Sequence, residues 1–284
     1  MSRLLHRPGS VDEALALLAE RPEARLLAGG ATLVAMRNAG LVDASAYVAL
    51  DGIAELRGIE QLPDGGLRIG AMTRHRETAT CGLLRDSLEV VRRAASMIAN
   101  PVVRNMGTMG GSVANADPGA DYPAALVCVD VELELAGTEG RRRVPAAAFV
   151  QDWYETALEP GEILTAIFLP PPRTGRSTYR KLARVSGDYA IASCAMALTG
   201  GQGDEEIAVA IGGCGPGPLR DVGAEAALRG RLDDPGALAA LGEALVALAD
   251  PIDDVRASAD YRLRVIPRLV RATLDDLRSE RRAA

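Results

Sequence analysis

Lysine is almost absent from this chain: its 284 residues include 32 lysines and arginines, and Lys181 is the single lysine. Positive charge is not in excess either. A net charge of −6 argues against nucleic acid as partner, because a basic stripe is the expected footprint. Aromatics make up only 3%, which leaves no stacking platform for unpaired bases. The two histidines, His6 and His75, cannot build a multi-histidine metal site. Cys81, Cys128, Cys194 and Cys214 lie far apart with no C-x-x-C spacing, so neither an iron–sulfur cluster nor structural zinc is expected within this chain. They read as small buried hydrophobes. No stretch approaches the ~18 consecutive apolar residues of a spanning helix, and Met1 to Pro8 has no apolar core of signal-peptide length. A cytoplasmic protein without a transmembrane segment is the expectation.

What the chain does have is glycine in two suggestive settings. One is Leu26-Leu27-Ala28-Gly29-Gly30-Ala31-Thr32-Leu33; the other runs from Arg104-Asn105-Met106-Gly107-Thr108-Met109-Gly110-Gly111-Ser112 to Asn115-Ala116-Asp117-Pro118. A Gly-Gly pair lets backbone amides approach a ligand with no Cβ in the way. Thr32, Thr108 and Ser112 add hydroxyls beside those amides, which suits the oxygens of a diphosphate. Two such loops, separated by about half a domain, read as two walls of one dinucleotide site.

Hydrophobic content of 48% and charged content of 25% are ordinary for a globular protein. Ser10-Val11-Asp12-Glu13 reads as a capping box opening a helix. Short strands are expected at 25–28, 46–50 and 67–69, with one or two helical turns over 32–38. Thr73 is expected to cap a short helix. An amphipathic helix is expected over 83–99, since Leu84, Leu88, Val91, Ala95 and Ile98 recur at helical spacing. The Gly-rich stretch reads as a turn, followed by a short apolar helix over 122–127 and strands at 131–135 and 163–169. Pro170-Pro171-Pro172 is a stiff spacer, which sets the expected boundary between a unit at 1–173, split near 55, and a second at 174–284. Strands at 178–184, 190–198 and 207–211 precede helices near 221–229, 235–248 and 258–278, an α+β arrangement with segregated layers.

Two familiar nucleotide sites are missing. Gly213-Cys214-Gly215-Pro216-Gly217-Pro218 follows a strand as a Rossmann fingerprint would, but prolines occupy the positions that should open the helix. No Walker-type loop occurs. A diphosphate here needs a different fold.

Ala28-Gly29-Gly30-Ala31-Thr32-Leu33 resembles the Ala-Gly-Gly-x-Ser/Thr-Leu loop of the FAD-binding medium subunits of molybdenum hydroxylases, the carbon monoxide dehydrogenase and xanthine dehydrogenase family. Ile69-Gly70-Ala71-Met72-Thr73 and the loop from Arg104 to Ser112 are similar to two further family segments. So are Tyr179-Arg180-Lys181-Leu182 through Asp188-Tyr189-Ala190, and Ser258-Ala259-Asp260-Tyr261-Arg262. The resemblance spans essentially the whole chain, and the second loop is its most specific part. It departs at Ala31 and Asn115, where many relatives carry histidine.

The resemblance implies an α+β fold: a two-subdomain FAD-binding domain of the vanillyl-alcohol-oxidase type, then a smaller domain of antiparallel sheet plus helices. Ala28, Gly29, Gly30, Ala31, Thr32 and Leu33, with Thr108, Gly110, Gly111 and Ser112, would wrap the pyrophosphate of non-covalent FAD. Asp121 matches an acidic FAD contact, Lys181 a lysine near the flavin edge, and Tyr189 the aromatic covering the ring. From the residues alone, the less favoured readings are Asp121 as a helix cap, Tyr189 as a core tyrosine and Lys181 as a residue of a solvated strand. Arg104 reads as a loop anchor, His75 as a surface residue at a helix start, and no residue as catalytic or metal-binding.

The implied role is electron transfer. A small [2Fe-2S] subunit would deliver electrons from a large molybdopterin subunit, within a dimer of heterotrimers, and an external quinone or NAD would take them. Such a complex would lie in the cytoplasm or at the inner face of the membrane. Segment 144–153, poor in charge, is a candidate face for the iron–sulfur chain, with Trp153 either core or interface. The alternatives are a free-standing flavin oxidoreductase of the same fold, an enolpyruvyl-nucleotide reductase relative and a scaffold that has lost its flavin.

Overall fold

The structure is a computed structural model that describes residues 4–201 and 205–283. The N-terminal part alternates strand and helix: β1 (Leu4–His6), α1 (Val11–Glu20), β2 (Arg25–Leu27), α2 (Leu33–Asn38) and β3 (Ala46–Ala49). Ser10 caps α1, its hydroxyl accepting from the Glu13 amide at 3.2 Å, which satisfies one of the orphan donors of the first turn. The strands form a parallel sheet in the order β1-β3-β2. Ala46 and Val48 of β3 pack against Val11, Ala14, Leu15 and Leu18 of α1. Parallel pairing requires crossovers, and β2 consequently ends at one rim of the sheet, where Ala28 to Thr32 begins.

The middle part opens with β4 (Ile59–Gln61) and β5 (Leu67–Gly70). The helices α3 (His75–Thr80), α4 (Glu89–Met97), α5 (Pro101–Met106), α6 (Met109–Asn115) and α7 (Tyr122–Cys128) follow. It closes with β6 (Glu132–Gly137), β7 (Gly140–Pro145), the small hairpin of β8 (Val150–Asp152) and β9 (Glu155–Thr156), and β10 (Ile163–Leu169). Five of these strands make an antiparallel sheet in the order β4-β5-β10-β6-β7. The central strand β10 is buried nearly throughout, which is why it is apolar at every position but Thr165.

The last part contains β11 (Gly175–Leu182), β12 (Ala192–Thr199), β13 (Glu206–Gly212), α8 (Val222–Ala227), α9 (Pro235–Leu248) and α10 (Ala259–Ala283). Its three strands are antiparallel with β12 central. Both faces of β12 are covered. Ala192, Cys194, Met196 and Leu198 join the core of α9 and α10, while Ala195 and Ala197 join the core of α4 and α7. This alternation follows the period of two along a strand.

Several sequence expectations shift. The helix expected over 83–99 starts only at Glu89, because Asp86 takes a left-handed φ of 54°. The chain is pinned there to β11: Ser177 Oγ accepts from the Val90 amide at 2.8 Å and donates to the Asp86 carbonyl at 2.7 Å. The supposed Gly-rich turn is two short helices. Asn100 caps α5, with Pro101 in its first turn, and Thr108 caps α6. Arg74, not Thr73, occupies the cap of α3. Strand β4 and the strand β7 that pairs with the expected β6 were not anticipated. In segment 144–153, Val144, Ala146 and Phe149 face the core, whereas Pro145, Ala147, Ala148, Gln151 and Asp152 are exposed. Cys81 is only half-buried, whereas Cys128, Cys194 and Cys214 are buried as expected.

Candidate functional site

The first glycine loop and the second touch. A Cβ on Gly29 would overlap the carbonyl oxygen of Met106 and come within 2.8 Å of Gly107 Cα, so only glycine permits this approach. The second loop is anchored on its other side to the segment leaving β5. Gly110 N–H donates to the Ala71 carbonyl at 2.8 Å, Met109 N–H to Thr73 at 2.9 Å, and His75 N–H to Gly107 at 3.1 Å. A Cβ on Gly110 would strike Ala71. Thr108 Oγ1 accepts from the Gly111 amide at 3.2 Å, which turns the chain into α6.

In the first loop the amides of Gly29, Gly30, Ala31 and Thr32 donate to no protein acceptor among the described residues. Backbone donors of this kind, half-exposed in the cleft, are available to an external acceptor. They line a cleft of about 1270 Å³, larger than the ~300–1,000 Å³ of ordinary small-ligand pockets. Every predicted binding residue except Lys181 lines it.

Lys181 lies beneath the cleft floor. Its ammonium donates to Asp121 Oδ2 at 3.0 Å and to the Met97 carbonyl at 2.8 Å. Asp121 Oδ1 accepts from the Tyr179 hydroxyl at 2.8 Å. The two charged side chains are 5% and 6% exposed. Asp121 occupies the cap position of α7 but makes no capping bond; its oxygens are committed to Lys181 and Tyr179. Burial raises the Asp121 carboxyl above its ordinary range, while the neighbouring ammonium favours its charged form.

His75 was expected on the surface and is instead buried at 4% exposure. It does begin α3, but that helix turns its first residue inward, and Nδ1 lies 3.1 Å from the Tyr122 hydroxyl. Burial, with Arg104 nearby, depresses its pKa to about 4. Arg104 donates to the carbonyls of Ile98 and Ala99 at 2.6 and 3.0 Å, as a loop anchor should.

Tyr189, in the loop between β11 and β12, also lines the cleft. Burial, reinforced by the Asp117 carboxylate, raises its phenol pKa. The β6–β7 turn at 137–142 and the stretch 158–164 also line the cleft. Gly137-Thr138-Glu139-Gly140, following the alternation of β6, was a legible hairpin signal. No group of His, Cys, Asp or Glu suited to a metal ion occurs among the described residues.

The two touching loops, the free amides and the cleft they line suit a dinucleotide-binding flavoprotein site built without a Rossmann fold. The donor set fits FAD. Residues 1–172 match the family of the FAD binding domain in molybdopterin dehydrogenase, and residues 177–277 match the CO dehydrogenase flavoprotein C-terminal domain. The chain belongs to this family of FAD-binding subunits. It is 39% identical over 277 residues to the carbon monoxide dehydrogenase medium chain of Afipia carboxidovorans, covering 95% of this chain and 94% of that one. The corresponding chain of Hydrogenophaga pseudoflava is 35% identical over 273 residues, covering 95% of each. A solved structure of carbon monoxide dehydrogenase from Hydrogenophaga pseudoflava, lacking the Mo-pyranopterin moiety, matches with a TM-score of 0.93 at 35% identity over 98% of both chains. This is an FAD-binding dehydrogenase subunit. No helix among the described residues is long and apolar enough to cross a membrane.

Proposed function

We propose that this chain is the FAD-carrying electron-transfer subunit of a multi-subunit molybdenum hydroxylase. It takes electrons from the [2Fe-2S] clusters of a small partner, fed by a molybdopterin centre on a large one, and passes them to an external quinone or NAD. The proposed assembly is a dimer of heterotrimers, cytoplasmic or held at the inner membrane face through the complex. The observation that carries this is the set of free amides at Gly29 to Thr32, facing Thr108 to Ser112 across a closed loop–loop contact.

Bound FAD supplies an electron store that exchanges electrons singly and in pairs. The chain supplies position and field. The Ala28 to Leu33 and Thr108 to Ser112 walls hold the pyrophosphate through backbone donors and hydroxyls. Asp121 forms part of the cleft floor, and Lys181 and Tyr179 hold its carboxylate in place from below. Tyr189 covers the ring and excludes water. Attachment is non-covalent, because His75 is committed to Tyr122 and His6 lies outside the cleft. No side chain serves as nucleophile or general acid.

Purification of the tagged chain from its host tests this. Flavin absorption over an iron–sulfur background, with reduction of the flavin only while the partners are attached, supports the proposal. A chain that is purified with partners and lacks flavin overturns it.

A further inference from the structure

We propose that Arg256 is a positioning residue for Tyr189, backing the ring from outside so that it stays over the flavin end of the cleft; this rests on the flavin assignment above. The guanidinium carbon lies 5.2 Å from the Tyr189 ring centroid, inside the ~6 Å range of a cation–π contact. Tyr189 lines the cleft and Arg256 does not. The cation therefore occupies the outer side of the ring and leaves the inner side clear.

Arg256 is itself held. Asp254 accepts from Arg256 Nη1 at 3.3 Å, and its Oδ1 accepts from the amides of Arg256 and Ala257 at 2.9 and 3.0 Å. Arg262, a buried side chain, donates to the same carboxylate at 2.7 Å. It also donates to the carbonyls of Ile191 at 2.5 Å and Gly213 at 2.7 Å. Ile191 is two residues from Tyr189, so one arginine grips both the backbone beside the ring and the acid that aims Arg256. Asp188 closes the set: its Oδ1 accepts from the Tyr189 amide at 2.8 Å and lies 4.0 Å from Arg256 Nε. The ring is fixed at its backbone and at its outer face.

A guanidinium on the outer face draws electron density through the ring. The inner face is then better matched to a ring that becomes electron-rich on reduction. A compact ammonium cannot stack in the same way.

The test uses the full chain loaded with FAD and reads flavin fluorescence, which a tyrosine in contact with the isoalloxazine quenches. Y189F is expected to raise the emission several-fold. R256Q should raise it at least twofold and weaken FAD about threefold, the equivalent of a modest cation–π contact. R256K should fall between, and R256Q added to Y189F should change nothing further. Emission and affinity unchanged in R256Q, with Y189F bright, overturn the role of Arg256 alone. Unchanged emission in Y189F removes Tyr189 from the flavin and the proposal with it. If R256Q unfolds at a lower temperature without FAD, R256K, which retains the charge facing Asp254, decides between positioning and mere stability.

Discussion

Replacing Gly29 by alanine adds one methyl group at the point where the two binding loops meet. That methyl would overlap the Met106 carbonyl oxygen and sit 2.8 Å from both the Met106 carbonyl carbon and Gly107 Cα. All three atoms are backbone, so no side-chain rotation relieves the clash, and the loops must separate. Overpacking of this sort costs about 1–3 kcal/mol. Here the displaced atoms include the amides proposed to face the pyrophosphate, so the cost is expected to fall on ligand binding as well as on folding. An FAD affinity loss of roughly 10-fold to 100-fold follows, since ~1.4 kcal/mol is a factor of ten. The assay is titration of the flavin-free variant with FAD, paired with thermal unfolding. Gly82 is the control: a Cβ there meets nothing within 4 Å, so Gly82→Ala should leave binding unchanged. Wild-type affinity in Gly29→Ala would refute the loop–loop geometry.

Other consequences are equally specific. Asp121→Asn strands the buried Lys181 ammonium and should cost about 3–5 kcal/mol in denaturant unfolding, whereas the double variant with Lys181→Met should recover part of that loss. His75 has a folded pKa of about 4 against 6.5 when unfolded. The unfolded chain thus takes up a proton that the folded chain refuses, and stability, full above pH 6.5, falls as pH drops toward 4, by about 3 kcal/mol at most. A variant with phenylalanine in place of His75 should show a flatter slope over that window. Of the four cysteines, only half-buried Cys81 should react with a thiol reagent in the native protein, and all four after denaturation.

The glycine loops were legible in the sequence because backbone approach to a diphosphate leaves a compositional trace. Strand β10 and the helix α9 were legible because burial leaves apolar runs and caps. The contact between Gly29 and Met106 was not, since it joins loops more than seventy positions apart and depends on backbone rather than side chains. His75 was misplaced for a similar reason: a helix start is ordinarily solvated, and only the tertiary position of α3 against α7 turns it inward. The late start of α4 depended on Ser177, a partner from another sheet. Arg256 carried no local signal at all, as a cation beside three nearby acids reads as a solvated loop.

The central claim is that this cleft holds one FAD through non-covalent contacts. The most direct measurement is the flavin released when the chain, purified from its host, is precipitated with acid. One FAD per chain in the supernatant is the predicted result. Flavin remaining with the precipitate, a different nucleotide, or none even after incubation with added FAD would contradict it.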